Sequence, residues 1–129
     1  MKDMIHVVSV GAEELIHRAY IAFLERHGCV LVVVRDHRGL PQALLNRNCD
    51  VAVLQATLSL DDLQETSRQI RQRWPKVRIL IVRGEASCID DALYDDRVEP
   101  AINPEHLLTT VERICSGRDV RSPLPVDQP

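Results

Sequence analysis

The sequence predicts an α/β protein in which a parallel β-sheet lies between two layers of helices. Short apolar runs alternate with amphipathic segments about five times along the chain. The runs are almost wholly apolar, as in strands that are covered on both faces, rather than alternating polar and apolar. Such alternation implies crossover connections and a parallel sheet. The 129 residues, 45% of them hydrophobic, are enough for one domain with a sizeable core.

The first half of the chain predicts two strand–helix units. Strands are expected over residues 5–10 and 29–34, both rich in β-branched residues. A helix is expected over 12–26, ending at Gly28, because glycine commonly follows a helix. Its proposed inner stripe consists of Leu15, Ile16, Ala19, Tyr20 and Phe23. A second, short helix is expected over 40–47, with a proline in its first turn.

The central strand follows Asn48 and Cys49 and runs to Gln55, a polar residue at its carboxyl end. In parallel α/β sheets, chemistry takes place just beyond the carboxyl ends of the strands. The side chain of Gln55 is therefore the first one to consider. A primary amide is neutral and a poor nucleophile, and it does not accept phosphoryl groups.

The second half predicts a helix over 59–73 that begins with a serine cap and first-turn acids. A fourth strand is expected over 77–82, followed by a weak helix near 86–94 and a stub of strand at 97–99. The last helix begins at Asn103, with proline in its first position, and ends at Gly117.

The chain is expected to divide into a folded domain, residues 1–117, and a tail, residues 118–129. The tail is polar and rich in proline, which is typical of a linker or a frayed end. No internal repeat interrupts the domain.

Composition excludes several classes of function. No apolar run is long enough to cross a bilayer, and the first residues do not form a signal peptide. The net charge of −3 and the 3% aromatic content argue against direct nucleic-acid binding. No two of the four cysteines have C-x-x-C spacing, which predicts buried thiols in a cytoplasmic protein. These cysteines are Cys29, Cys49, Cys88 and Cys115.

Histidine and arginine side chains are expected at the surface. No two histidines have the i, i+4 spacing of a helical metal site, so surface or capping roles are expected for them. The three considered are His17, His27 and His37. A basic cluster near the third helix is expected to be a solvated face. It consists of Arg68, Arg71, Arg73, Lys76 and Arg78.

Several local motifs carry a resemblance to a known family. They are D-V-A-V-L at 50–54, W-P-K-V-R-I-L-I-V at 74–82 and I-N-P-E-H-L-L at 102–108. With them, the span 5–117 resembles the receiver domain of bacterial two-component response regulators. Its end, V-E-R-I-C-S-G at 111–117, is similar to receivers that precede a LuxR-type helix-turn-helix output domain. The resemblance implies a flavodoxin-like (CheY-like) doubly wound sandwich, with a five-stranded parallel sheet and helices on both faces.

The positions that carry chemistry in the family are all changed in this chain. In receivers, acidic residues after the first strand and an aspartate after the third bind magnesium, and that aspartate accepts a phosphoryl group. Here the acidic pair corresponds to Gly11 and Ala12, and the acceptor to Gln55. The hydroxyl residue after the fourth strand corresponds to Arg83, and the lysine that pairs with the phosphoryl group to Pro100. The resemblance therefore implies a vestigial phosphorylation pocket.

Nearby acids offer a poor substitute for the missing ones. Asp50 lies at the opposite end of the central strand from Gln55, about 16 Å away at about 3.3 Å per residue. Glu13 would provide one carboxylate, whereas hard divalent cations prefer several oxygen ligands. Arg83 is expected either to pair with Glu13 or Glu85 across the pocket or to point into solvent. The pocket is accordingly expected to hold no metal and no cofactor.

Three kinds of function remain: a regulatory interaction module, an active receiver and, as the weakest alternative, a small-ligand sensor. The resemblance implies a non-enzymatic, phosphorylation-independent regulatory module that contacts a protein partner or an output domain, and that forms a homodimer. It is expected to bind neither nucleic acid nor membrane directly. The last helix would present His106, Thr109, Thr110, Glu112 and Arg113 outward. The alternatives are an active receiver that is phosphorylated at a non-standard site, and a small-ligand sensor that uses the vestigial pocket.

Overall fold

A computed structural model describes residues 4–12, 15–45, 47–55, 57–82, 91–99 and 103–120 of the chain. It contains a five-stranded sheet of order β2-β1-β3-β4-β5 in which each neighbouring pair is parallel. The strands are β1 (Ile5–Val10), β2 (Cys29–Val34), β3 (Val51–Leu54), β4 (Arg78–Val82) and β5 (Asp96–Val98). The helices are α1 (Leu15–Arg26), α2 (Leu40–Ala43), α3 (Leu60–Arg73) and α4 (Pro104–Val120). The predicted fold class is confirmed.

The strand order places the central strand where the sequence predicts it. β3 pairs with β1 on one side and with β4 on the other, and its four residues are at most 2% exposed. An almost continuous apolar strand suits this position because helices cover both faces of the sheet. Its carboxyl end delivers Gln55 beside the end of β1, where the Gln55 N–H donates to the Val10 carbonyl at 2.8 Å.

Two apolar clusters lie on opposite faces of the sheet. The α2/α3-side cluster contains Leu40, Leu63 and Ile70 together with inward residues of β1, β3 and β4. The α1/α4-side cluster contains Tyr20 and Leu107 with the alternate residues of the same strands. Successive strand residues point to opposite faces, so a single strand such as β3 belongs to both clusters.

Helix α1 confirms only part of the predicted stripe, because Tyr20 is buried, Phe23 is half-buried and Ala19 is exposed. Its buried residues are His17, Tyr20 and Leu24, which are 2–3% exposed, whereas Ala19 is exposed. The side chains of Leu15 and Ile16 lie outside the described part of the chain. The apolar pattern suggested a stripe rotated away from His17 because a histidine was counted as polar, although its ring can be buried when both nitrogens have partners.

Helix α2 is shorter than predicted and ends at Ala43 instead of near residue 47. Leu44 leaves the helical conformation, with φ −99° and ψ 5°. The residues beyond Leu45 include two asparagines and carry little helix propensity to extend the helix. On the α2 side of the sheet, the described part of the chain consequently places no helix over the amino-terminal half of β2, whose other face packs against α1.

Helices α3 and α4 follow their predicted starts. The Ser59 hydroxyl accepts from the Asp62 N–H at 3.1 Å, and the Asn103 side chain accepts from the His106 N–H at 2.8 Å. Helix α4 does not end at Gly117 but continues to Val120. A glycine inside a helix costs about 1 kcal/mol relative to alanine, which is too little to terminate a helix by itself.

The structure describes only part of the segments predicted to be the weak helix near 86–94 and the tail. Residues 83–90 and 121–129 lie outside the described part of the chain, so the weak helix near 86–94 is seen only as a 3-10 turn at Asp91–Leu93. The stub of strand is confirmed as β5. Among the described residues, no helix is both long and apolar enough to cross a membrane.

Candidate functional site

The structure brings three of the predicted site residues together at the carboxyl edge of the sheet. Gly11 and Ala12 follow β1, and Gln55 follows β3, which is its direct neighbour. The other predicted site residues are outside the described part of the chain. They are Glu13, Arg83, Glu85 and Pro100.

Gly11 packs directly against Gln55. A Cβ atom at position 11 would lie 2.6 Å from the Gln55 Cβ and 2.8 Å from the Thr57 Oγ1. The φ angle of Gly11 is +145°, a conformation that residues with side chains rarely adopt. The space beside Gly11 is therefore closed by the side chains that follow β3, and a residue with a side chain at this position would require the backbone to move.

The amide of Gln55 belongs to a buried chain of hydrogen bonds. Its Nε2 donates to the Ser9 Oγ at 2.9 Å, and the Ser9 Oγ lies 2.6 Å from the His17 Nε2. The His17 Nδ1 lies 3.4 Å from the Ala12 carbonyl oxygen. Ser9 and His17 are 2% and 3% exposed, and Gln55 is 8% exposed. These hydrogen bonds join β1, β3 and α1 at the carboxyl edge of the sheet.

When the His17 imidazole is neutral, one placement of the protons satisfies every donor and acceptor in this series of hydrogen bonds. The Ala12 carbonyl can only accept, so the His17 Nδ1 carries the proton and its Nε2 accepts. The Ser9 hydroxyl then donates to the His17 Nε2 and accepts from the Gln55 amide. The expectation that His17 lies at the surface or caps a helix was wrong. The side chain is buried, and both ring nitrogens have hydrogen-bond partners that replace water.

His27 and His37 differ from His17 in their exposure. The His27 Nδ1 lies 2.9 Å from the Phe23 carbonyl at the end of α1, and His27 is exposed. His37 is half-buried, and its Nδ1 lies 3.5 Å from the Gln69 Nε2. Only His17 therefore contributes to the buried chain at the sheet edge.

A further hydrogen bond, separate from those of Gln55, Ser9 and His17, connects the loops that follow β1 and β3. The Ala12 N–H donates to the Thr57 Oγ1 at 3.0 Å. Beneath the loops, the α1 side of this edge contains a cavity of only about 10 Å³, lined in part by Ser9, His17 and Gln55. That volume is close to the minimum for one water molecule. The described part of this site is thus filled by the protein's own groups.

The described residues at this edge do not fit a magnesium ion. Gly11 and Ala12 have no oxygen-bearing side chain, and Gln55 offers one neutral amide oxygen. Magnesium prefers octahedral coordination by oxygens and is usually bound by one or two carboxylates. Among the described residues, no group of three His, Cys, Asp or Glu side chains is close enough together to hold a metal ion.

Asp50 is at the opposite edge of the sheet, as the sequence predicts. Its Oδ2 accepts from the His6 backbone N–H at 2.8 Å, near the start of β1. The carboxylate therefore fixes the amino-terminal ends of β1 and β3, and it cannot reach Gln55.

The basic cluster is largely engaged by neighbouring acids. Arg71 and Arg78 lie 3.2 Å and 3.8 Å from the carboxylate of Asp95. Arg68 lies 3.6 Å from Glu65 on the same helix. These pairs leave less positive charge on this face than the sequence count suggests.

Ser9, His17 and Thr57 are the site residues that the sequence reasoning missed. Ser9 was visible as the one hydroxyl residue in the apolar first strand. His17 lies three and seven residues before the buried Tyr20 and Leu24, which is helical spacing. The two signals together indicate a buried polar pair, because a strand and the helix after it pack face to face.

Comparison with solved structures identifies the fold. No family model matches the sequence, and no curated protein matches it. Among solved structures, the signal receiver domain of an HD domain-containing protein from Pseudomonas fluorescens Pf-5 has a TM-score of 0.78 and 17% identity. The alignment covers 92% of each chain.

Two other solved structures are similar to the same extent. The chemotaxis response regulator CheY4 of Vibrio cholerae has a TM-score of 0.75 and 18% identity over 87% of this chain and 99% of its own. The response regulator TrrA of Thermotoga maritima, solved with Mg²⁺ and BeF, has a TM-score of 0.71 and 17% identity over 86% and 99%. The chain therefore has the CheY-like, flavodoxin-like fold of response regulator receiver domains.

Proposed function

We propose that this protein is a phosphorylation-independent, receiver-like signalling module that acts through protein–protein contacts and is not an enzyme. We place it in the cytoplasm, as part of a bacterial response regulator or transcription regulator of the LuxR type. The observation that carries the proposal is the side chain of Gln55. It stands at the carboxyl end of the central strand, and its amide is bound to Ser9 inside the protein.

The chemistry of phosphoryl transfer supports this proposal. Transfer to a carboxylate needs that carboxylate and a cation that neutralises the crowded oxygens. Gln55 offers an amide in place of the first, and Gly11 and Ala12 supply no ligand for the second. The chain of hydrogen bonds through Ser9 and His17 holds β1, β3 and α1 together, so the pocket needs neither a metal nor a phosphoryl group for its structure.

The direct test is incubation of the intact chain with acetyl phosphate and Mg²⁺, followed by intact-mass measurement. We expect the mass to remain unchanged. The Thermotoga maritima regulator TrrA, treated identically, checks that donor and metal are active. A phosphoryl adduct on any aspartate or glutamate of this chain would contradict the proposal and favour the active-receiver alternative.

The ligand-sensor alternative is tested separately by thermal shift against a metabolite panel. The contact between Gly11 and Gln55 leaves little space at this edge, which favours the interaction module. A ligand that raises the melting temperature of the wild type, with Gln55→Ala abolishing the effect, would instead support a sensor.

The exposed face of α4 is the surface that we propose for a homodimer or an output domain. His106, Thr109, Glu112 and Arg113 are exposed, and Arg113 is hydrogen-bonded to Asp96 of β5. Thr110 does not belong to this face. Its hydroxyl donates to the His106 carbonyl at 2.9 Å, and the residue is 2% exposed, contrary to the sequence prediction.

Light scattering coupled to size exclusion tests the homodimer. We expect a dimer for the wild type and a shift towards monomer for the double variant Thr109→Arg and Glu112→Arg. Substitution of exposed Arg68 by glutamine, on α3, is the matched control and should leave the mass unchanged. A monomeric wild type would contradict the homodimer.

A further inference from the structure

The face of the sheet beneath the short helix α2 contains a cavity of about 280 Å³. Its apolar walls include Val8, Val30, Val32 and Leu44. In the sheet, Val32 is the neighbour of Val8, so these walls are continuous across two strands. We refer to this space as the α2 cavity; it lies towards the amino edge of the sheet, away from Gln55.

The cavity follows from the early end of α2. The carboxyl-terminal end of β2 is covered, because Val34 packs against the α2/α3-side cluster and Gly39 lies over it. Val30 and Val32 point to the same face but are only half-buried. An apolar surface that a longer helix would cover is thereby left as a wall of the cavity.

Polar groups line the same cavity. Arg47 and Asn48 are both exposed, which places them at its mouth, and the imidazole-bearing residue His6 also belongs to the lining. In the part of the chain that the structure describes, no carboxylate lies within salt-bridge distance of Arg47. The carboxylate of Asp50 is turned to the His6 backbone N–H.

The Cys49 thiol also lines the cavity, and we expect it to be unreactive. Burial raises the pKa of Cys49 to about 12, so the side chain is a protonated thiol at neutral pH. It serves as a further weakly polar wall and gives no reason to expect covalent chemistry.

We propose that the α2 cavity binds a small organic anion with an apolar body, namely an aromatic or branched-chain monocarboxylate. The apolar walls would enclose the body, and Arg47 and Asn48 would receive the carboxylate at the mouth. The volume of the α2 cavity is suitable for such a ligand, because an engineered apolar cavity of about 150 Å³ in another protein holds benzene. The α2 cavity is nearly twice as large, which leaves room for a ring and a short acidic arm.

The test is a ¹⁵N-¹H NMR titration of the full chain with phenylacetate. We expect saturable shifts at the amides around Val8, Val32 and Leu44, with a Kd of about 1 mM or tighter for a ligand of this size. The neutral analogue 2-phenylethanol and the ringless analogue acetate should each bind at least about fivefold more weakly.

Two variants locate the site. Arg47→Gln should weaken phenylacetate binding by about five- to tenfold while leaving the binding of 2-phenylethanol unchanged. The matched control is Arg73→Gln. Arg73 is also an exposed arginine, but it lies at the end of α3, where its guanidinium stands over the Trp74 ring, and it does not line the α2 cavity. Val32→Phe should fill the cavity and abolish binding; if that variant does not fold, the Arg47→Gln comparison decides alone.

Three results would overturn the proposal. They are an absence of saturable shifts up to about 10 mM phenylacetate, equal affinity for phenylacetate and 2-phenylethanol, and shifts that centre on Gly11 and Gln55 instead. None of these results bears on phosphorylation, so this inference and the proposed function fail independently.

Discussion

At the scale of single residues, Gly11 is constrained both by its backbone conformation and by its contact with Gln55. Its positive φ angle of +145° disfavours a side chain, and a Cβ at this position would lie only 2.6 Å from the Gln55 Cβ. Either alone would disfavour a side chain. Together they mean that a side chain cannot be introduced at position 11 without rearrangement of its neighbours.

We expect Gly11→Ala to lower the free energy of unfolding by about 2–4 kcal/mol, through backbone strain and steric overlap. Gly28→Ala is the matched control, because Gly28 also has a positive φ of +96°, but among the described residues no atom would lie within 4 Å of an added Cβ. That control should cost only about 1–2 kcal/mol. Urea denaturation measures both, and equal losses would show that the contact with Gln55 does not matter.

Cys49 provides a second prediction at this scale. With a pKa of about 12 in place of the ordinary value of 9.0, its thiolate population at pH 8 is about a thousandfold lower than in the unfolded chain. We expect iodoacetamide to modify Cys49 at least about a hundredfold more slowly in the folded protein than in urea. Peptide mapping by mass spectrometry gives the two rates, and similar rates would contradict the raised pKa.

At the scale of elements, a single carboxylate connects α3, β4 and β5. The Asp95 Oδ2 accepts from the Ile79 N–H at 2.7 Å and from Arg71 at 3.2 Å, and its Oδ1 lies 3.8 Å from Arg78. The Asp95 side chain is 6% exposed, so these bonds form away from most of the solvent. They hold the short strand β5 in place, although it contributes only three residues to the sheet.

We expect Asp95→Ala to lower the free energy of unfolding by about 2–4 kcal/mol, because it leaves the Ile79 N–H and two arginines without this acceptor. Glu65→Ala is the control: it removes a pair with Arg68 in which both side chains are at least half exposed. That loss should be about 0.5 kcal/mol or less. Thermal or urea unfolding distinguishes the two, and a small effect at Asp95 would mean that β5 is held by packing alone.

At the scale of the whole molecule, the sheet makes the two apolar clusters interdependent. The strands β1, β3 and β4 each contribute alternate residues to both faces, so we expect the two clusters to form together. The single tryptophan, Trp74, is packed against the α2/α3-side cluster and reports on that face by its fluorescence.

We therefore expect Leu107→Ala, on the opposite face, to shift the Trp74 fluorescence transition and the circular-dichroism transition equally. The loss should be about 2–4 kcal/mol, because Leu107 is 1% exposed. Coincident transitions are the mark of two-state unfolding. A fluorescence transition that stays in place while the other moves would show that the two faces unfold separately.

Much of this architecture could be predicted from the sequence, because strand and helix periodicity are local properties of the chain. The five strands, the caps at Ser59 and Asn103, and the amide at the end of the central strand all follow from neighbouring residues. The sequence by itself also determined that the side chains of Gly11, Ala12 and Gln55 contain no carboxylate, and that the amide oxygen of Gln55 is the one side-chain oxygen among them.

Tertiary structure decided the rest, because it depends on residues that are distant in sequence. Burial of His17 required partners on β1 and in the loop before α1, and the closed pocket required Gly11 to meet Gln55, 44 positions away. The α2 cavity likewise depends on tertiary packing. The short helix α2 leaves Val30 and Val32 of β2 to line the cavity, whereas Val34 at the end of the strand is covered. Periodicity shows which face of an element is apolar, whereas only packing shows which polar groups meet and what is left uncovered.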